Sequence, residues 1–200
     1  MIKTVVFDIG NVLTGFCWQD FFRKFNYPED IYERLCQATV KSSAWCELDR
    51  GVMSDEEVMQ EFIKNDPGIE KEIKESLHNM KGLLIRYDFA IPWIKELKEK
   101  HYQVLVLSNY AHRTGKECAE ALDFLPYVDG GILSYQEKVI KPDPAIYKLL
   151  LDRYHLKPEE CVFLDDMERN LTAAEKFGIH TIHFVNYEQA VKELEELGVE

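Results

Sequence analysis

The sequence has no long apolar run and no excess of basic residues. None of its hydrophobic stretches approaches the roughly 18 residues that a membrane-spanning helix needs. Its 24 lysine and arginine residues are outnumbered by 36 aspartate and glutamate residues, which gives a formal net charge of −12 at pH 7. Nucleic acids and anionic membranes both bind to basic faces. We therefore expect neither a nucleic acid nor a membrane as a partner.

Paired cysteine motifs are also absent. The five cysteines form no C-x-x-C motif and their number is odd, which is typical of reduced thiols rather than of a disulfide framework. A strand pattern begins within a few residues of the N-terminus, so we expect no signal peptide. These features predict a cytoplasmic protein. A monomer and a homodimer are both compatible with the sequence.

An apolar run near the N-terminus ends in a carboxylate. Residues 3–8 read Lys-Thr-Val-Val-Phe-Asp, and Gly10 and Asn11 follow closely. Runs rich in β-branched and aromatic residues are typical of buried parallel strands. Asp8 would then lie at the carboxyl end of a strand, where open α/β sheets bind their ligands. Taken alone, Asp8 is either a helix cap or a nucleophile.

From residue 83 onward, strand patterns alternate with amphipathic helix patterns. The strand patterns cover residues 104–107, 130–134, 162–164 and 181–185. This alternation predicts the α/β class, with a Rossmann-like, doubly wound parallel sheet of about five strands. Parallel strands place their carboxyl ends at one common edge, so the residues after each strand should lie close together.

The segment 16–82 has helical spacing and lacks strand patterns. Ser54-Asp55-Glu56-Glu57 is a capping-box sequence, and Asp66-Pro67 is typical of a helix start. We predict about four helices here, and the segment is too long for an ordinary strand-to-helix loop. The expected organisation is a catalytic core formed by residues 1–15 and 83–200, with an inserted four-helix cap domain.

Polar residues follow three of the predicted strands. These are Asp8, Ser108-Asn109 and Asp165-Asp166, and Lys141 precedes the helix that leads to the fourth strand. Adjacent carboxylates oppose one another's ionisation unless a cation neutralises them. Carboxylate oxygens are the ligands that Mg²⁺ prefers. A carboxylate nucleophile, Mg²⁺, a lysine and short hydroxyl and amide donors suit phosphoryl transfer.

Four ordered motifs carry a family resemblance over nearly the whole chain. They are Phe7-Asp8-Ile9-Gly10-Asn11-Val12, Leu107-Ser108-Asn109, Lys141-Pro142-Asp143-Pro144 and Phe163-Leu164-Asp165-Asp166. The sequence resembles the haloacid dehalogenase superfamily, in the branch with a helical cap after the first strand. Within it, the sequence is most similar to the α-D-glucose-1-phosphatase-like group and to the N-terminal phosphatase domain of epoxide hydrolases.

The resemblance implies a Mg²⁺-dependent phosphatase that hydrolyses small phosphate monoesters, such as a hexose 1-phosphate. It assigns nucleophilic attack to Asp8 and its orientation to Lys141. Phosphate binding falls to Ser108 and Asn109. The implied metal ligands are Asp8, the Gly10 carbonyl and Asp166, with Asp165 acting through water or as a support. From its position shortly after Asn109, we also predict that Arg113 contacts the substrate phosphate.

Gly10 departs from most phosphatases of this superfamily, in which an aspartate at that position protonates the leaving group and then activates water. Two alternatives follow from its absence. One is a 2-haloacid dehalogenase-like hydrolase, which also lacks the second aspartate. The other is a protein that binds a phosphorylated ligand and hydrolyses it poorly. In the cap, Trp45, Glu47 and Arg50 could face the site or could pack within the cap.

Overall fold

Seven short strands occur in the computed structural model, which describes residues 1–199. They are β1 (Thr4–Phe7), β2 (Thr14–Phe16), β3 (Leu84–Arg86), β4 (Gln103–Ser108), β5 (Gly130–Leu133), β6 (Cys161–Asp165) and β7 (His180–His183). Five of them form one parallel sheet in the order β5, β4, β1, β6, β7. This sheet confirms the predicted α/β class and Rossmann-like fold.

Eleven α-helices lie within the same described residues. They are α1 (Trp18–Arg23), α2 (Glu29–Ala38), α3 (Ser43–Arg50), α4 (Asp55–Asn65), α5 (Glu70–Ser76), α6 (Ala90–Glu99), α7 (His112–Glu117), α8 (Ser134–Glu137), α9 (Pro144–Tyr154), α10 (Glu168–Glu175) and α11 (Tyr187–Glu196). None is both long and apolar enough to cross a membrane. Short 3-10 turns connect several of them.

Strand β1 occupies the centre of the sheet, and its four residues are buried. It pairs with β4 on one side and β6 on the other, with Phe7 aligned with Val106 and Leu164. The apolar run that defines β1 is buried on both faces because helices cover both sides of a parallel sheet. The same alignment brings the residues that follow β1, β4 and β6 to one edge.

The segment between β2 and β3 contains five α-helices rather than the four that the sequence predicted. Ser54 does form the expected capping box with Glu57 at the start of α4. The additional helix is α3, which follows Ser42 and ends at Gly51, where the backbone takes a left-handed φ of 66°. Ser42 occupies its N-cap position but makes no side-chain capping bond.

Strands β2 and β3 form an antiparallel pair that the sequence patterns did not predict. Thr14 aligns with Arg86, and Phe16 aligns with Leu84. The chain leaves the sheet region through β2 and returns to it through β3. Their pairing therefore holds the two ends of the helical segment together. The division into a core and a cap domain at residues 15 and 83 remains a prediction.

We expect a methyl group at Gly131 to disrupt the sheet. An added Cβ would lie 2.3 Å from the Val106 carbonyl oxygen, and φ at Gly131 is 156°. Gly131→Ala should lower the free energy of unfolding by roughly 2–4 kcal/mol, because strand β4 would have to move. Urea denaturation measures the change.

Gly10→Ala is the matched control, since a Cβ at Gly10 meets no atom within 4 Å. Its free energy of unfolding should stay close to the wild-type value. Equal destabilisation by the two substitutions would contradict this account of the β4 and β5 contact.

Candidate active site

Asp8 lies at the carboxyl end of the central strand and is 8% exposed. Its Oδ1 atom accepts a hydrogen bond from the Ile9 N–H at 2.7 Å and lies 2.9 Å from Lys141 Nζ. Burial raises the pKa of Asp8 to about 7; the Lys141 charge opposes this rise, and the Asp165 charge adds to it. Asp8 is therefore held in one orientation next to a cation.

Lys141 is 1% exposed and bridges two carboxylates. Its Nζ atom lies 2.9 Å from Asp8 Oδ1 and 2.5 Å from Asp165 Oδ2. Burial acts against the charged ammonium, but the neighbouring carboxylates outweigh it, so the pKa of Lys141 is raised. A positive charge buried between two acids is stable only because both carboxylates contact it directly.

Asn109 binds the backbone of Lys141 rather than facing an open cavity. Its Nδ2 group donates to the Lys141 carbonyl at 3.0 Å, and its Oδ1 atom accepts from the Lys141 N–H at 2.7 Å. Both ends of the amide are thus committed. In this structure the Asn109 side chain holds the Lys141 backbone, and its predicted contact with phosphate remains a prediction.

Ser108 ends strand β4, is 1% exposed, and acts to lower the pKa of Asp8 through its hydroxyl. Its position beside Asp8 is compatible with the predicted contact to a phosphate. The Arg113 guanidinium contacts Glu117 at 2.8 Å and donates to the carbonyls of Leu77 and His78. These partners hold Arg113 against the end of α5, and its predicted contact with the substrate phosphate remains a prediction.

The carboxylates of Asp8, Asp165 and Asp166 form one cluster. One oxygen atom from each lies within 4.8 Å of the others. Burial raises the pKa of Asp166, while a hydrogen bond from Asn11 Nδ2 at 2.9 Å opposes the rise. An all-oxygen set with excess negative charge suits Mg²⁺. The cluster therefore fits the ion that the sequence predicted.

The two acids after β6 have different surroundings. Asp165 is fully buried, and both of its oxygens accept hydrogen bonds from Asn170, with further contacts to Lys141 and the Met167 N–H. Asp166 is partly exposed. Asp165 thus contacts Lys141 and the loop that follows β6, whereas Asp166 is partly open to solvent. Their roles as supporting acid and direct metal ligand remain predictions.

Gly10 leaves an open space next to Asp8, since an added Cβ would meet no atom within 4 Å. Asn11, the next residue, has a left-handed φ of 57°. Besides donating to Asp166, Asn11 accepts from the Phe16 N–H at 3.1 Å. It therefore ties the carboxylate cluster to strand β2, where the chain enters the helical segment.

The three residues proposed from the helical segment contact other parts of that segment. The Trp45 ring packs against the rings of Phe16 and Phe62. Glu47 and Arg50 form an ion pair at 3.3 Å. These contacts favour the packing alternative for all three.

Sequence reasoning missed Asp49, which lies between them on α3. Its carboxyl is influenced by the charges of both Asp8 and Lys141, and burial raises its pKa to about 7. The glycine at position 51 is a sequence signal for the end of a helix. The sequence contains no signal for which residues of that short helix lie near the carboxylate cluster.

Residues 2–178 match the haloacid dehalogenase-like hydrolase family. Acyl-CoA dehydrogenase family member 10 from Mus musculus is 30% identical over 203 residues, which cover 98% of this chain and 19% of that protein. Bifunctional epoxide hydrolase 2 from Mus musculus is 43% identical over 81 residues, which cover 40% of this chain and 14% of that protein. The chain thus spans a fifth or less of these two relatives.

A third relative is the phosphorylated carbohydrates phosphatase of Thermotoga maritima. It is 30% identical over 126 residues, which cover 57% of this chain and 58% of that protein. This relative is of comparable length to the chain described here, unlike the two mouse proteins.

Solved structures share the fold. A predicted hydrolase of the same family from Porphyromonas gingivalis has a TM-score of 0.75 at 24% identity, covering 100% of this chain and 99% of that chain. An enzyme from Bacteroides thetaiotaomicron in complex with magnesium and inorganic phosphate has a TM-score of 0.67 at 23% identity, covering 91% and 93%. L-2-haloacid dehalogenase from Xanthobacter autotrophicus has a TM-score of 0.62 at 19% identity, covering 100% and 85%. At these identities the likeness concerns the fold alone.

Removing the Lys141 charge should destabilise the metal-free protein strongly. Lys141→Met leaves Asp8 and Asp165 close together without a cation, at a cost of about 3–5 kcal/mol in the free energy of unfolding. Urea denaturation in EDTA measures the loss. Adding Asp8→Asn to Lys141→Met should recover part of it, since one of the two opposed charges is then gone.

Lys148→Met provides the control. Lys148 pairs with Asp152 at 2.6 Å, but both side chains are largely exposed, so its loss should change stability by less than about 1 kcal/mol. If the two lysine substitutions had equal effects, the buried bridge would not be the stabilising contact proposed here.

Proposed function

The chain belongs to the haloacid dehalogenase-like hydrolase family, and we propose that it is a Mg²⁺-dependent phosphatase acting on small phosphate monoesters. The observation that carries this proposal is the cluster of Asp8, Lys141, Asp165 and Asp166 at the carboxyl edge of the sheet. It combines an oriented carboxylate, a buried cation and a set of oxygen ligands for a divalent ion.

In the proposed reaction, an Asp8 oxygen attacks phosphorus and forms an aspartyl-phosphate as the bond to the leaving oxygen breaks. Water then attacks the phosphorus and restores the Asp8 carboxylate. Lys141 keeps Asp8 oriented, and Ser108 is placed to donate a hydrogen bond to a phosphoryl oxygen. Holding the nucleophile in a fixed geometry removes a large part of the entropic barrier.

Asp8, Asp166 and the Gly10 carbonyl are the proposed ligands of Mg²⁺, with Asp165 supporting them. When bound, the ion supplies positive charge that offsets the repulsion between a carboxylate and an anionic phosphate. The site also has to accept an anion in a protein whose formal charge is −12. Lys141 alone cannot balance three carboxylates, so the charge count favours a metal-dependent reaction.

The substrate class that we propose is sugar phosphates, including hexose 1-phosphates. The Thermotoga maritima relative, whose name states that it acts on phosphorylated carbohydrates, supports this class. A 2-haloacid dehalogenase is the competing activity, and the Xanthobacter enzyme shares the fold. The cluster of three carboxylates favours the phosphatase, because displacement of a halide by a carboxylate requires no divalent cation.

Phosphate release from p-nitrophenyl phosphate and from a panel of sugar phosphates tests the proposal. We expect activity that requires Mg²⁺ and disappears in EDTA, and Asp8→Asn should lower kcat at least about 10⁴-fold because no covalent intermediate forms. Lys148→Met should remain fully active. Chloride release from 2-chloropropionate that persists in EDTA, without phosphate release from any substrate, would instead establish the dehalogenase.

Mg²⁺ should also stabilise the protein in the absence of substrate. At 100 times the dissociation constant, a ligand that binds only the folded state adds about 2.7 kcal/mol to the free energy of unfolding. The melting temperature should therefore rise with Mg²⁺ concentration in the wild type and much less in Asp166→Asn. An equal rise in both proteins would show that the ion binds elsewhere.

A further inference from the structure

The end of helix α3 is fixed against the edge of the sheet that carries the nucleophile. The Ser134 hydroxyl donates to the Asp49 carbonyl at 2.5 Å and accepts from the Tyr110 N–H at 2.8 Å. Tyr110 directly follows the Ser108-Asn109 pair after β4. A chain of two hydrogen bonds therefore connects α3 to the catalytic edge through a hydroxyl that is completely buried.

Two further contacts hold the same helix end. Lys138 Nζ donates to the Gly51 carbonyl. Gly51 packs so closely on α8 that an added Cβ would lie 3.0 Å from the Tyr135 Cα atom. Side chains at the end of α3 are thus held at a defined position relative to the site, and Asp49 is among them.

The charges of Asp8 and Lys141 both act on the Asp49 carboxyl, Asp8 raising its pKa and Lys141 lowering it. Within residues 1–199, no N–H or O–H donates a hydrogen bond to its oxygens, and it forms no ion pair. Burial comes first among the causes that raise its pKa to about 7. A carboxyl group donates a proton when it is protonated and accepts one when it is ionised.

Gly10 leaves the site without a carboxylate two residues after Asp8. A carboxylate two residues after the nucleophile, which the family resemblance leads one to expect, is missing, and the space that its side chain would occupy is open. The chemistry still requires a proton for the leaving oxygen and a base for the attacking water. On the core side, Lys141 is committed to two carboxylates, and the remaining acids form the metal cluster.

We propose that Asp49, on helix α3, supplies the proton donor and base that Gly10 cannot. This inference rests on the proposed phosphatase function and adds a catalytic residue to it. In the first step, an Asp8 oxygen bonds to phosphorus, the phosphorus bond to the leaving oxygen breaks, and the Asp49 carboxyl protonates that oxygen. In the second step, the Asp49 carboxylate takes a proton from water while the water oxygen bonds to phosphorus and the bond to Asp8 breaks. The products are the alcohol and inorganic phosphate.

Leaving groups of different basicity test this role of Asp49. Butyl phosphate needs a proton on its leaving oxygen, whereas 2,4-dinitrophenyl phosphate does not. For Asp49→Asn, we expect kcat/KM with butyl phosphate to fall about 10²–10⁴-fold and kcat/KM with 2,4-dinitrophenyl phosphate to stay within a few-fold of wild type. Because kcat/KM ends at the first irreversible step, the second substrate isolates attack by Asp8.

The second step, attack by water, predicts burst kinetics in the variant. Without a base for water, Asp49→Asn should release one equivalent of 2,4-dinitrophenolate per site in a burst and then turn over slowly. Adding Gly10→Asp to Asp49→Asn should restore hydrolysis of butyl phosphate, since the new side chain meets no atom within 4 Å of its Cβ. Glu47→Gln, on the same helix and paired with Arg50 at 3.3 Å, is the control and should leave both substrates unaffected.

The outcomes separate this proposal from the function on which it rests. If the wild type hydrolyses neither phosphate ester, the proposed phosphatase function fails. If the wild type is active and Asp49→Asn hydrolyses butyl phosphate equally well, Asp49 is not the acid and the phosphatase function stands. An equal loss of kcat/KM with both substrates would also overturn the role as proton donor. The melting temperature of Asp49→Asn should be no lower than that of wild type.

Discussion

The bridge from Lys141 to Asp8 and Asp165 is the contact on which the whole site depends. The two carboxylates belong to adjacent parallel strands, and the sheet brings them together whether or not their charges permit it. One buried ammonium, 2.9 Å from one acid and 2.5 Å from the other, makes the arrangement stable. The same contact orients Asp8, the proposed nucleophile, so stability and the proposed catalysis share one interaction.

Three side-chain amides support this bridge and the neighbouring acid, Asp166. The Asn109 amide forms two hydrogen bonds with the backbone of Lys141. The Asn170 amide donates to both oxygens of Asp165, and the Asn11 amide donates to Asp166. An amide donates without adding charge, so it can satisfy a buried carboxylate while leaving the net charge available for a metal. Asn11 also accepts from Phe16 on β2, which links the acid cluster to the start of the helical segment.

In our proposals, helix α3 contributes a proton donor and base, Asp49, from the helical segment. The sheet provides the proposed nucleophile, the buried cation and the oxygen ligands, and α3 brings Asp49 to the same edge. The Ser134 hydroxyl joins the two by bonding both the Asp49 carbonyl and the Tyr110 N–H. A proton donor held on a separate layer is correctly placed only while α3 remains docked on α8, so docking and proton transfer would be coupled.

The class of the fold and the identity of the acids at the strand ends could be predicted from the sequence. Apolar runs mark buried strands, and parallel strands share one edge, so Asp8, Lys141, Asp165 and Asp166 had to converge. Helix α3 was missed because its eight residues are too few for helical periodicity to stand out. The pairing of β2 with β3 was missed because three-residue strands carry too little pattern for periodicity to detect.

The sequence by itself determined the α/β fold and the set of charged groups at the sheet edge, because both follow from local patterns combined with the geometry of parallel strands. Only the tertiary structure decided which partners the long polar side chains take. The Asn109 side chain forms hydrogen bonds with the Lys141 backbone, and Arg113 forms them with the backbone at the end of α5. The contact of the Asp49 carbonyl with Ser134 holds Asp49 where the charges of Asp8 and Lys141 act on its carboxyl. Such choices depend on distances between elements far apart in the chain, and no local pattern records those distances.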